Sequence, residues 1–206
     1  MTVDPKSGHM PGPPFCSGEQ VTLHPIQRED SRFCQELLNE PRVRRRIAST
    51  DPITAAAERD WIESQDEQDG FNFLICRDDA PTDGDDPLGL DSVDEPEPVG
   101  TIGLTPAHEV WGTAEIGYAI APEYWGNGYA TEALSLVCQY AFDERRIAKL
   151  HAETFATNPA SARVLTKVGF EKEGSFRNEA FVDGARVNVI RYGLLAEEWD
   201  ENGATR

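Results

Sequence analysis

The segment Glu115–Leu134, EIGYAIAPEYWGNGYATEAL, constrains this chain more than any other. Its apolar run from Ile116 to Ala121 reads as a strand, which Pro122 interrupts. A turn follows with Gly126 and Gly128 one residue apart. Apolar residues then recur at Ala130, Ala133, Leu134, Val137 and Ala141, the period of an amphipathic helix. The first turn of such a helix has backbone N–H groups with no partner inside the helix, and its dipole favours negative charge. Glycines let a phosphate approach that backbone with no Cβ in the way. Strand, glycine turn and helix together form a candidate pyrophosphate cradle.

Two common cradles are excluded by residue identity. A dinucleotide fingerprint needs a third glycine three residues after Gly128, where Thr131 stands, and a P-loop needs Gly-Lys-Ser/Thr, yet no Lys lies between residues 7 and 148. The segment instead resembles the acyl-CoA loop of the GNAT superfamily of N-acetyltransferases, Gln/Arg-x-x-Gly-x-Gly/Ala. Trp125 takes its first position, Gly128 its fourth and Ala130 its sixth. Tryptophan at the first position is usual in the RimJ/RimL-like subgroup, the ribosomal-protein N-terminal acetyltransferase type, and the whole string is similar to that subgroup. The resemblance extends over about residues 20–199. It includes Val21–Ile26 with Glu29-Asp30, Trp61-Ile62, Asn158-Pro159-Ala160-Ser161, Val164-Leu165, Gly169-Phe170, Tyr192–Leu195 and Glu198-Trp199. His24 stands where Arg is common, Asn188 where Asp is common, and the loop before the third strand is unusually long.

The resemblance implies an α/β (α+β) GNAT fold. Its central twisted sheet of about seven strands is mostly antiparallel, splayed at the cofactor site and flanked by about four helices. Length agrees, since 206 residues suit one domain that buries about two-thirds to three-quarters of its unfolded surface. Residues 1–18, rich in Pro and Gly, read as a disordered tail without the apolar core of a signal peptide. Residues 19–200 read as the domain, and 201–206 as a second tail. No apolar run approaches the ~20 residues of a membrane span. Cys16, Cys34, Cys76 and Cys138 lack metal-ligand spacing and read as reduced thiols of a cytoplasmic protein.

Strands are expected at about 20–26, 71–76, 99–105, 113–121 and 149–155. Helices are expected at about 30–39, 54–66, 128–143 and 158–168, with a last hairpin turning at Asp183-Gly184. Between strands, residues 78–98 hold nine acids, four prolines and no basic residue, and read as an exposed acidic insertion. The chain carries 37 Asp and Glu against 19 Lys and Arg, a net charge of −18. Nucleic acid is not a partner such a surface favours. Cationic amines or a basic peptide are, although adaptation to high salt, where the Debye length falls to ~3 Å at 1 M, explains the same charge.

What the resemblance implies about chemistry is direct transfer from acetyl-CoA to an amine in a ternary complex, with no metal. The acceptor is then the N-terminal α-amine of a protein, such as a ribosomal one. Alternatives are a small amine (polyamine, amino acid or aminoglycoside) or a non-catalytic acyl-CoA-binding module. Backbone groups near Ala119 and Ile120 are expected to pair with the pantetheine arm and to polarise the thioester carbonyl. The loop Trp125, Gly126, Asn127, Gly128, Tyr129 and Ala130 is expected to hold the pyrophosphate, and Asn158 to hydrogen-bond the arm. The Tyr that protonates the departing thiolate in the wider superfamily is replaced by Leu165. The RimJ/RimL-like subgroup shares that gap, and Ser161 is its substitute. Glu115 is the candidate base, with Glu179 a second. An α-amine, titrating near 8 against 10.4 for lysine, needs less help to lose its proton. On the strand pattern His151 faces away from the core. Arg42, Arg44, Arg45 and Arg46 border the acceptor region as a carboxylate site or a solvated face, and Arg163 and Lys167 are within reach of the 3′-phosphate or form surface pairs. The assembly is expected to be a monomer or a homodimer.

Overall fold

The computed structural model describes residues 11–47, 49–64, 70–77 and 96–199. Eight strands form one sheet: β1 (Cys16–Ser17), β2 (Val21–Pro25), β3 (Phe71–Arg77), β4 (Glu97–His108), β5 (Thr113–Ile120), β6 (Lys149–Phe155), β7 (Glu171–Val182) and β8 (Ala185–Leu195). Their order is β1-β2-β3-β4-β5-β6-β8-β7. Every neighbouring pair is antiparallel except β5 with β6. Among the described residues five α-helices flank the sheet: α1 (Ser31–Asn39), α2 (Pro41–Arg44), α3 (Ala55–Ser64), α4 (Tyr129–Gln139) and α5 (Pro159–Val168).

Side-chain alternation divides the interior into two cores, because successive strand residues point to opposite faces. Leu23, Phe73, Ile75, Ile102, Ile116 and Leu150 pack on one face under Ala133, Leu134, Val137 and Cys138 of α4. Leu74, Cys76 and Ala119 pack on the other, against Phe33, Cys34 and Leu37 of α1. A strand buried on both faces has no polar alternation, which is why Phe73–Cys76 is a continuous apolar run.

The α-helical part of α4 ends before the expected residue 143. At Tyr140–Glu144 it widens into a π turn, in which Arg145 N bonds Tyr140 O. The Tyr140 ring there meets Phe15, Phe71 and Phe73 edge-on. Phe15 also stacks on Phe73, and Cys16 and Ser17 pair with Leu23 and Thr22. The disordered tail expected through residue 18 is therefore corrected for its last residues, which an aromatic contact and a strand ladder hold down; residues 1–10 and 200–206 lie outside the described residues. Of the acidic insertion, 78–95 also lies outside them. Its last residues are corrected: Glu97 and Pro98 belong to β4, where Glu97 pairs with Arg77 and accepts from Tyr124 Oη at 2.7 Å. The last hairpin turns as expected, with Asp183 at φ +49° and Gly184 at φ +81°, both left-handed as a type I′ turn requires.

The β4–β5 pair is packed without slack at Gly100. A Cβ built there would lie 2.3 Å from the backbone oxygen of Ala119 and 2.7 Å from Ile120 Cδ1. Backbone cannot swing aside, so Gly100→Ala must push β5 away from β4. Overpacking of this kind costs about 1–3 kcal/mol, a fall in Tm of roughly 2–12 °C for a chain of this size. Thermal denaturation of Gly100→Ala with an unchanged Tm would show that β5 has more freedom than its packing implies.

Candidate active site

The parallel pair β5–β6 is short. It joins Thr113 to Lys149, Ala114 to Leu150 and Glu115 to His151, and then stops. Beyond it β5 stays paired to β4 as far as Ile120, and β6 to β8 as far as Phe155. The strands diverge, and alternate peptide groups of β5 face a gap instead of a neighbouring strand. The gap opens into a cleft of about 1350 Å³.

Ten of the eleven expected site residues line this cleft: Glu115, Ala119, Ile120, Trp125, Gly126, Gly128, Tyr129, Ala130, Asn158 and Ser161. Asn127 does not; its Nδ2 donates to Tyr124 O at 3.1 Å and so braces the turn. Gly126 and Gly128 have φ of +88° and +92°, in the left-handed region that favours glycine. A Cβ on Gly126 would meet nothing within 4 Å, and one on Gly128 only Gln20 Nε2 at 3.8 Å. The cradle is open space bounded by backbone, and no side chain caps the N-terminus of α4. A pyrophosphate fits such a place, because the uncapped amides would donate to it. Arg163 and Lys167 of α5 also line the cleft, without an ion-pair partner among the described residues, which suits them to a further phosphate.

Trp125 has a bracing role as well as a place in the lining. Its Nε1 donates to Ile120 O at 2.7 Å, and Arg46 lies 4.4 Å over its ring. The Ile120 carbonyl therefore already accepts one hydrogen bond. Asn158 is buried and caps α5, its Oδ1 accepting from Ser161 N at 3.3 Å. The cap uses only the oxygen, so the Nδ2 amide is left as a donor. Thr154 also lines the cleft, and its buried Oγ1 has no hydrogen-bond partner among the described residues. No motif pointed to Thr154; only strand alternation placed it.

Ser161 does not act alone. Its Oγ lies 2.9 Å from the Oη of Tyr118, which also donates to the Ser161 carbonyl at 3.3 Å. Burial pushes the Tyr118 phenol up to about 12, against a smaller opposing effect of the bond to Ser161, so Tyr118 keeps its proton at any ordinary pH. Leu165 is fully buried beside them and has nothing to donate. Tyr118 was missed because it reads as one more apolar residue of a strand.

Glu115 is exposed at the point where the strands part, with Oε2 3.9 Å from His151 Nε2. His151 does face away from the α4 core, yet it is 8% exposed and so buried on the other face. Burial, then the nearby Arg191 charge, lowers its pKa, which favours neutral imidazole. Glu179 is exposed on β7 at the cleft edge. The arginine run is largely committed: Arg42 pairs with Glu40 at 2.7 Å, Arg45 with Asp183 at 3.2 Å, and Arg46 covers Trp125. A second, smaller hollow of about 320 Å³ lies on the α1/α3 side and shares Ile47, Glu115, Gly117, Tyr118 and Ala119 with the cleft. No helix among the described residues is long and apolar enough to cross a membrane, and no group of three metal-ligating side chains occurs among them.

The cradle geometry makes a quantitative expectation possible. Gly128→Asp would put a carboxylate where phosphate belongs, so CoA affinity should fall at least tenfold, about 1.4 kcal/mol. Tm should also fall, because φ of +92° strains any Cβ-bearing residue. Calorimetric titration of the folded variant with unchanged affinity would remove the loop from the site.

A profile of the acetyltransferase (GNAT) domain matches residues 20–171. The SPbeta prophage-derived uncharacterized N-acetyltransferase YokL of Bacillus subtilis (strain 168) is 30% identical over 189 residues, 91% of this chain and 97% of that protein. The spermidine N(1)-acetyltransferase of Escherichia coli (strain K12) is 28% identical over 185 residues, 89% of this chain and 90% of that protein. The fold matches the crystal structure of spermidine N-acetyltransferase from Vibrio cholerae in complex with CoA and spermine. That match has a TM-score of 0.75 and 20% identity, and covers 87% of this chain and 98% of the other. With the splayed sheet and the glycine cradle, these matches show that the chain belongs to the GNAT family of acetyl-CoA-dependent N-acetyltransferases.

Proposed function

We propose that this enzyme acetylates a primary amine that reaches β5 from the α1/α3 side, opposite the cofactor cleft, and that the transfer is direct. The observation that carries this reading is the meeting of two hollows at β5, where Glu115, Gly117, Tyr118 and Ala119 line both, with Ile47 beside them. Gly117 is exposed, and a Cβ there would meet nothing within 4 Å, so the strand is uncovered at this point. Acetyl-CoA supplies an activated acyl group on a thiol leaving group. The chain must hold it, receive the proton of the amine and stabilise the sulfur as it departs.

Glu115 is positioned to receive the amine proton, directly or through water. His151, which burial favours in its neutral form, lies 3.9 Å from it and is an alternative acceptor. On the cofactor side Tyr118 orients Ser161, whose hydroxyl serves the leaving sulfur. Either hydroxyl can donate in this pair; when Tyr118 turns its one proton from the Ser161 carbonyl to Ser161 Oγ, the Ser161 proton is free to point into the cleft. Neither hydroxyl is acidic enough to give its proton up outright, so the help is a polarised hydrogen bond to developing charge, which matters most in the transition state. A small amine suits the hollow of about 320 Å³ better than a folded protein surface does. The protein N-terminus implied by the RimJ/RimL-like string is the second reading.

Thiol release from acetyl-CoA across a panel of small amines and N-terminal peptides tests the function. Turnover should be found with small amines, and Glu115→Gln should lower kcat by about 10²-fold or more, with the loss shrinking as pH rises and the amine deprotonates by itself. Turnover confined to peptides would establish the second reading, and no turnover with any acceptor would leave an acyl-CoA-binding module.

The Tyr118–Ser161 pair is tested separately. Ser161→Ala should cost kcat about 10²-fold, with CoA affinity nearly unchanged. Tyr118→Phe should cost less, and the double variant no more than Ser161→Ala, because the two act as a unit. Additive losses in that cycle, with chemistry rate-limiting, would show that the hydroxyls act independently.

A further inference from the structure

The α1/α3 side of the sheet holds a carboxylate that the mechanism above does not use. Glu58 of α3 is 3% exposed, and its Oε1 has no hydrogen-bond partner among the described residues. Glutamate is almost never fully buried unless paired, and burying its charge without a partner is costly. Burial raises the Glu58 pKa, and no neighbouring cation or donor opposes it. A group in this state binds a cation that can reach it.

Access is provided by the smaller hollow. Glu58 lines it together with the apolar side chains Leu38 and Ile47 and with Trp61, and β5 forms its far wall at Glu115 and Gly117. The hollow therefore offers a carboxylate for a cation, apolar surface for methylenes, and contact with the strand where the acetyl group is transferred. A metal ion does not suit it, since no three ligating side chains cluster among the described residues. A peptide N-terminus suits it less, because beyond the α-amine its backbone offers only neutral amides and no second cation for the carboxylate. A second ammonium joined to the first by an aliphatic spacer matches all three features, and the net charge of −18 draws such a molecule in.

We infer that Glu58 recognises the distal ammonium of the acceptor, and that the substrates are aliphatic diamines and polyamines. The inference rests on the reading that the acceptor approaches β5 from this side. The near amine lies at Glu115, the methylenes run along Leu38 and Ile47, and the far ammonium pairs with Glu58.

Initial rates of thiol release with diaminobutane and with n-butylamine test it. The native protein should use the diamine with a kcat/KM at least tenfold higher. Glu58→Gln, a neutral isostere, should bring that ratio below threefold, mainly through KM for the diamine. Equal use of the two amines by the native protein, or a ratio that survives Glu58→Gln, would overturn the inference and leave Glu58 a protonated core residue. If Glu58→Gln does not fold, a rise in Tm of the native protein with diaminobutane but not with butylamine, CoA present, supports the inference, and equal responses overturn it. Activity on monoamines or peptides without diamine preference would refute the role of Glu58 and leave direct N-acetylation standing. Inactivity toward every amine would refute that reading itself.

Discussion

Two strands that begin as neighbours and then part organise everything else in this molecule. After Glu115 and His151 the β5–β6 ladder ends, and each strand keeps its other partner. Backbone groups in a sheet are ordinarily paired, and leaving them unpaired away from water is costly. The structure meets that cost by making the gap a wide cleft and by placing polar groups along it: Asn158 and Ser161 on α5, Thr154 on β6, and the cradle at the head of α4. The wedge is held open from both sides. Leu134 and Val137 of α4 pack under β5, Leu165 and Val168 of α5 pack into the same core, and Gly100 lets β4 lie tight against Ala119 and Ile120.

The charges follow the wedge. The four-arginine run looks in isolation like an anion site, but three of its members are engaged, to Glu40, to Asp183 and to the face of Trp125. The Arg45–Asp183 contact joins the segment after α2 to the β7–β8 turn, two elements that both line the cleft. With both partners more than half exposed, such a pair adds little stability, 0–1 kcal/mol at most. Its significance is geometric, since it links two walls of the site. The basic groups left without ion pairs among the described residues include Arg163 and Lys167, where a phosphate has use for them.

The fold was largely legible because its signals are local and periodic. The strand at Lys149–Phe155, the α5 helix after Asn158 and the Asp183-Gly184 turn stand where alternation, helical spacing and turn chemistry put them. The cradle was legible because glycine at two positions of a strand-to-helix turn has few other uses. Cys16–Ser17 was not, because a two-residue strand has no period and is held by a contact between Phe15 and Phe73, 58 positions along the chain. The end of α4 was misread for a similar reason: Tyr140 fits the helical spacing, and only its aromatic neighbours reveal the π turn. In the site, pairings across the sheet were hidden. Tyr118 and Ser161 are 43 positions apart, and no property of either alone announces their bond. His151 was placed on the correct face by alternation, but that this face is also covered depends on elements distant in sequence.

The strand β5 lines both hollows, and the reading proposed above brings an anionic donor and a cationic acceptor to it from its two sides. On one side of β5 stand the uncapped amides of α4 with Arg163 and Lys167, which favour phosphate. Glu115 lines both hollows, and the buried Glu58 lines the smaller one, where the proposed ammonium would lie. Without the strand between them the phosphates and the ammonium groups would pair with each other, and in a low-dielectric cleft that attraction is strong. Gly117 leaves this strand uncovered at its middle, since a Cβ built there would meet nothing within 4 Å. The same strand carries Tyr118, which points to the cofactor side, directly after Gly117. In the mechanism proposed above, alternation along the four residues Glu115–Tyr118 would set the proton acceptor and the support for the leaving sulfur on opposite faces of β5.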